Sequence, residues 1–174
     1  MTLSYRQLFA EKSTDIAQLQ SVYNASTDYF QIVLGHLPNN DATHQDLLAV
    51  PQGCSLDAKF FYGIYEKTQM IGCIDLIRGY PNENTIFIGL LLFITTRQGL
   101  GYGPQSLEFI IQQAIQWNCH QLRIAVVASN VKALAFWLRE GFIEIYRKES
   151  EKFVAPIVVM ERVINATDFQ QLKS

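Results

Sequence analysis

Residues 97–107 read RQGLGYGPQSL, with glycines at 99, 101 and 103 running into a proline and an apolar-periodic segment. A glycine-rich turn at the mouth of a helix gathers backbone N–H groups that have no intrahelical acceptor, and the helix dipole adds partial positive charge there. Residues without side chains let an anion, most simply a phosphate, approach that backbone closely. Pro104 fits the same scheme, because in the first helical turn it removes only a donor that would be orphaned. The same spacing also serves a tight strand-to-helix turn that needs positive φ angles. The glycines form neither the dinucleotide-binding GxGxxG nor a P-loop, since no Lys-Ser/Thr follows them.

Asp75, in the apolar run IGCIDLIRGY, is the second candidate for chemistry. A carboxylate inside a strand costs stability unless it is paired or solvated. One role for it is a general base; the other is a structural hydrogen bond or a solvent-facing edge. Arg78, three positions on, falls on the opposite strand face and is not its partner along the strand. His36, His44 and His120 share no ligand or triad spacing, so neither a metal nor Ser/His chemistry is expected. Cys54, Cys73 and Cys119 lack metal-ligand or CxxC spacing and read as reduced thiols.

The elements that must position these residues follow from periodicity and turn chemistry. Ser13 or Thr14 is placed to cap a helix through about Tyr23, with Ile16, Leu19 and Val22 on one face. Further short helices are expected over 27–35, stopped by Gly35 and Pro38, and over 42–49, before Pro51. Strands over 59–65 and 70–80 flank the turn EKTQ, and YPNEN turns the chain into a strand over 85–94. That last strand is apolar almost throughout, as a central strand buried on both faces would be, and Gly89 within it marks a bulge or a close backbone approach. A helix carrying Leu107, Ile110, Ile111, Ala114 and Ile115, a strand over 121–128, a helix over 130–140 closed by Gly141, and strands over 142–147 and 153–163 complete the chain. The order fits a mixed α/β sheet.

The 174 residues, 49% apolar and 17% charged and without repeats or linkers, are expected to form a single domain, 1–174. A formal charge of −2 removes the usual footprint of a nucleic-acid binder. The N-terminal MTLSYRQLFAEK has no signal-peptide pattern, and the longest apolar run is too short to span a bilayer, so a cytoplasmic protein without a membrane partner is expected.

Beyond the glycine loop, residues 130–142 read NVKALAFWLREGF. Together the two segments resemble the GNAT N-acetyltransferase superfamily. In that family a central strand runs into Q/R-x-x-G-x-G/A, matched by Gln98, Gly101 and Gly103. A later N-x-x-A-x-x-F-Y-x-x-x-G-F is matched by Asn130, Ala133, Phe136, Gly141 and Phe142, and VMER at 159–162 is similar to the family's last strand. The resemblance covers residues 60–163 specifically and the earlier helices only in order.

The resemblance implies an acyl-CoA N-acyltransferase fold, a splayed central β-sheet flanked by helices. It implies transfer of an acetyl group from acetyl-CoA, the co-substrate, to a primary amine by direct attack, with no metal and no cysteine acyl-enzyme. The backbone of Gln98, Gly99, Leu100, Gly101, Tyr102 and Gly103 would cradle the pyrophosphate. Leu91, Leu92 and Phe93 would lie along the pantetheine arm, with an N–H near Leu91 or Leu92 facing the thioester carbonyl. Asn130 would sit near the pantetheine, cap its helix, or do both. Trp137 stands where the family usually has a tyrosine; an indole N–H donates but is no proton-transfer acid, so Trp137 hydrogen-bonds the sulfur or only packs against the arm. Tyr29, with Tyr23, Phe30 and His36, falls where the family builds its acceptor pocket, although aromatics there also serve as core. The acceptor is a small-molecule or protein amine, and a homodimer is one of the open oligomeric states. A non-catalytic acyl-CoA-binding or sensing module of the same fold is the alternative, supported by Trp137 in place of tyrosine.

Overall fold

The computed structural model describes residues 2–174. The chain opens with strand β1 (Leu3–Gln7), followed by helices α1 (Ser13–Asn24), α2 (Thr27–Leu34) and α3 (Ala42–Leu48). Strands β2 (Lys59–Glu66), β3 (Gln69–Arg78) and β4 (Thr85–Phe93) form an antiparallel meander. Helix α4 (Tyr102–Gln116) leads to β5 (Gln121–Val127), α5 (Val131–Arg139), β6 (Ile143–Lys148), β7 (Ile157–Val163) and α6 (Ala166–Gln171). The strands make one mixed sheet in the order β1-β2-β3-β4-β5-β7-β6, in which only β4 and β5 run parallel.

Periodicity explains most of this. Leu107, Ile110, Ile111 and Ala114 recur on one face of α4 and are all buried; each such Leu or Ile contributes about 1.5–3 kcal/mol relative to leaving it in water. Strand β3 runs through the core, with Met70 to Ile74 buried in succession. Strand β4 does not fit the expectation of burial on both faces along its whole length. Its first residues are buried, whereas Gly89 is exposed and Leu90, Leu91 and Phe93 are only half-buried.

Four local expectations are corrected. Neither Ser13 nor Thr14 caps α1; Lys12 holds the cap position, and the Asp15 carboxylate instead accepts from the Phe9 N–H and from Arg6, both at 3.0 Å. The last strand begins at Ile157 rather than Phe153. Pro156 has no N–H to give a ladder, and the Val154 N–H is drawn to the Val33 carbonyl of α2 (3.0 Å). Strand β1, absent from the expected elements, pairs with β2 and stacks Tyr5 on Phe109 at 4.0 Å between ring centroids. Helix α6, also absent, is held by a capping box between Asn165 and Asp168, whose carboxylate also takes Arg162 (2.6 Å).

Two irregularities in the sheet decide where a ligand can enter. Pairing between β4 and β5 runs from Thr85↔Gln121 to Ile88↔Ile124 and stops, so the strands part beyond it. On the other edge of β4 the register steps from Leu76↔Ile88 to Asp75↔Leu90, leaving Gly89 as the extra residue of a bulge. Among the described residues, no helix is long and apolar enough to cross a membrane.

Candidate active site

Where β4 and β5 separate, a cleft of about 300 Å³ opens between Gly89, Leu90 and Leu91 on one strand and Ala125, Val126 and Val127 on the other. Of the three residues expected along a bound arm, Leu91 lines this cleft. Leu92 turns into the core, 3% exposed, and Phe93 packs against Tyr102 (6.1 Å between centroids); neither belongs to the lining. The bulge accounts for the offset, because each extra residue exchanges the faces of the side chains that follow it.

The glycine loop follows β4 and opens α4. Gly99 and Gly101 have φ of 73° and 80°, and a Cβ built at either would meet no atom within 4 Å. Both positions therefore need glycine for the left-handed backbone rather than for room. The preceding turn ends at Gln98, whose N–H donates to the Thr95 carbonyl (3.4 Å). The N–H groups of Gly99, Leu100 and Gly101 have no backbone acceptor among the described residues. Gln98 folds its amide onto the Phe93 carbonyl (3.0 Å), and Leu100 is 56% exposed. Tyr102 anchors the loop from below, its hydroxyl donating to Glu66, which also holds Arg97 at 3.2 Å. Gly103 is different in kind: a Cβ there would lie 2.8 Å from Phe136 Cε2, so this glycine lets α5 pack against α4.

Helix α5 forms the other wall of the cleft. Asn130 caps it, its side-chain oxygen accepting from the Ala133 N–H at 3.3 Å, while Asn130, Ala133 and Trp137 all line the cleft. Trp137 is buried and sits edge-on between Phe136 (4.8 Å) and Phe142 (4.9 Å).

A second cavity, about 380 Å³, lies under α2 and α3 and is floored by Asp75. Tyr29, Val33, Gly89, Leu90 and Phe153 line both cavities, so the two meet at the β4 bulge. Asp75 Oδ2 accepts from Lys59 Nζ (2.8 Å), and that ammonium also donates to the Ala49 carbonyl (2.7 Å). The pair is diagonal across the β2–β3 ladder, Lys59 opposite Ile77 and Asp75 opposite Phe61, which puts both on one face. Asp75 Oδ1 is buried and has no partner. Burial pushes the Asp75 carboxyl up from 3.8 to about 6; Lys59 opposes that shift and Asp46 adds to it. Gly89 makes the arrangement possible, because a Cβ there would stand 2.6 Å from Asp75 Oδ2. Tyr29 is half-buried where the cavities meet, and desolvation raises its hydroxyl pKa well above the ordinary value.

The structure thus gathers Leu91, Asn130 and Trp137 on one cleft, the glycine loop at the helix mouth, and Asp75 with Tyr29 at the adjoining cavity. Sequence reasoning missed Lys59, Asp46 and Phe153. Lys59 and Asp46 carry no local signal, being brought in by strand register and by helix packing. Phe153 falls inside the strand expected over 153–163, and Pro156 is the signal that could have shortened it. Among the described residues, no group of three or more His, Cys, Asp or Glu is placed to hold a metal ion.

A sequence model of the acetyltransferase (GNAT) family matches residues 19–142. No curated protein matches the chain in sequence. Among solved structures, an acetyltransferase from Thermus thermophilus superposes with a TM-score of 0.76 at 23% identity, covering 94% of this chain and 98% of that one. The aminoglycoside acetyltransferase AAC(6')-Ib in complex with coenzyme A gives 0.71 at 14% identity over 99% and 100%. The ribosomal-protein-S18-alanine N-acetyltransferase from Escherichia coli gives 0.68 at 15% over 94% and 95%. At these identities the likeness is one of fold.

Proposed function

Because the chain belongs to the acetyltransferase (GNAT) family, we propose that it moves an acetyl group from acetyl-CoA to a primary amine by direct attack. The observation that carries this reading is the β4 bulge. It opens the β4–β5 cleft on one side, and on the other it brings the Asp75 carboxylate to the point where the cleft joins a second cavity.

The residues present fit acetyl-CoA. Open space over Gly99 and Gly101, with N–H groups that lack a backbone acceptor, suits a pyrophosphate. The cleft between Leu91 and Val127, bounded by Asn130 and Trp137, suits an arm that pairs with β4 where β5 has left it. When bound, acetyl-CoA supplies an activated thioester. Asp75, ionised above about pH 6, accepts a proton from the acceptor's ammonium group, and Lys59 fixes its orientation. A β4 backbone N–H near Leu91 or Leu92, beyond the point where β5 parts from β4, would face a developing oxyanion. Trp137 lines the cleft; since an indole is no acid it is not the proton donor, and CoA would leave as the thiolate, which a group titrating near 8.5 tolerates. A small-molecule amine suits the second cavity, and a net charge of −2 supports leaving nucleic acid out of the partners. The same reading has the chain act as one domain in the cytoplasm.

Trp137 packed between two phenylalanines keeps the second reading alive, a module that binds acyl-CoA without turnover. The test is titration calorimetry with acetyl-CoA against ATP, followed by thiol detection with an amine panel. Saturable acetyl-CoA binding and acceptor-dependent thiol release establish the transferase. Binding without release establishes the module, and no binding removes both readings.

A further inference from the structure

The cavity beneath α2 is lined by the carboxylates of Asp75 and Asp46, by apolar and aromatic side chains, and by four exposed polar residues, His36, Asn39, Gln45 and Lys152. Resting on the amine-acetylating reading, we infer that the acceptor is a compact primary monoamine with an aromatic or branched apolar body and no anionic group on the amine-bearing carbon.

Asp75 lines this cavity, its Oδ1 buried and without a partner while Lys59 holds Oδ2. A buried acceptor left unpaired costs free energy that a ligand donor returns, and an amine nitrogen brings such donors. Asp46 supplies a second carboxylate to the cavity, its Oδ2 held by the Tyr23 hydroxyl at 2.5 Å. Lys59 already pairs with Asp75, so Asp46, held by a neutral hydroxyl, is the carboxylate that attracts an ammonium group. That charge also repels a carboxylate carried on the adjacent carbon, which disfavours an α-amino acid, the Lys152 ammonium being exposed to solvent.

The body of the acceptor meets carbon. Phe30 packs at an angle against both Tyr23 and Tyr29, at 5.0 and 5.1 Å between centroids, and Leu90 and Phe153 also line the cavity. Hydroxyls or further ammonium groups buried against these surfaces would leave their hydrogen bonds in water unreplaced. The remaining polar lining, His36, Asn39 and Gln45, lies toward the solvent edge. Lys152, also in the lining, carries its ammonium over the Phe153 ring at 5.3 Å and sets a like charge against the second cation of a polyamine. At about 380 Å³ the cavity stands at the small end for ligand sites, enough for one ring or a branched alkyl group on a short stem.

The test is acetyl-CoA-dependent thiol release with 2-phenylethylamine and 3-methylbutylamine, set against phenylalanine, spermidine, kanamycin and an alanine-terminated peptide. The first two should exceed the others in kcat/KM by about tenfold or more, since each rejected acceptor leaves a charge or hydroxyl buried without a partner. A higher value for phenylalanine, spermidine, kanamycin or the peptide overturns the inference and leaves acetyl transfer standing. Saturable acetyl-CoA binding with no thiol from any amine overturns both. In addition, Asp46→Asn should raise the KM for 2-phenylethylamine by about tenfold while the KM for acetyl-CoA stays constant. An unchanged amine KM removes Asp46 from the cation site and with it the repulsion argument.

Discussion

Replacing Lys59 with methionine should move the acid limb of the rate profile and spare its plateau. Lys59 Nζ lies 2.8 Å from Asp75 Oδ2, and burial already lifts Asp75 to about 6 against the pull of that ammonium. An opposite charge at this range lowers a carboxyl by about 1–3 units, so its loss takes Asp75 to about 7–9. For a shift of about two units, the ionised fraction at pH 6.5 drops from about three-quarters to a few per cent, roughly 25-fold in kcat/KM. Raising the pH to about 9 restores most of it, and the amine itself titrates near 10, outside this window. The assay is the pH dependence of kcat/KM for the amine, with Lys59→Arg as the variant that keeps the charge and holds the limb near 6. Stability carries the same sign. The folded pKa of Asp75 exceeds its unfolded value, so the stability due to the neutral form is complete below about 4. It is lost as the pH rises through the folded pKa, about 6 here and higher in the variant. Melting curves should therefore show Lys59→Met less stable at pH 9 than at pH 6. A loss of activity equal at every pH, with the acid limb unmoved, refutes the coupling.

Three further outcomes follow from the loop and its helix. Gly101→Ala forces a side chain to φ 80°; it should cost about 1 kcal/mol in denaturant unfolding and raise the KM for acetyl-CoA while kcat for the amine holds. Gly103→Ala drives a methyl into Phe136 and should cost about 1–3 kcal/mol, part of which Phe136→Leu recovers, as a thermal-shift comparison of the single and double variants would show. Trp137→Phe should keep kcat within about twofold because no proton passes through the indole, whereas Trp137→Ala should lose about 3–5 kcal/mol of stability from the emptied site.

The parts of the site that were legible in the sequence are those made by neighbours in the chain. The glycine loop, the Asn130 cap and the Gly89 bulge each rest on backbone rules that act over a few residues, and all three stand in the structure. The placement of Leu91, Leu92 and Phe93 was not legible to the same degree. A bulge exchanges the two faces of a strand, and sequence does not show how pairing resumes beyond the extra residue. Lys59 lies on a different strand from Asp75, and the contact exists only in the observed β2–β3 register. Asp46 reaches the same cavity from α3 through helix packing alone. Strand β1 alternates only over five residues, and α6 spans six; both are too short for periodicity to separate from chance.

The Lys59–Asp75 pair is better explained by the cavity it faces than by the fold it sits in. Taking two charges out of water costs more than their attraction usually returns, and apolar residues of equal volume often hold such a site at least as well. Here the lysine side chain is 4% exposed and the aspartate 16%, yet one carboxylate oxygen has no partner at all. A pair selected for stability would satisfy that oxygen. Leaving it unpaired costs stability, a cost that a donor reaching it would return. Gly89 points the same way, since any Cβ there would crowd the Asp75 oxygen that Lys59 holds. The bulge, the missing side chain and the half-satisfied carboxylate thus form one arrangement, and on the proposed reading the acceptor's N–H donor would complete it.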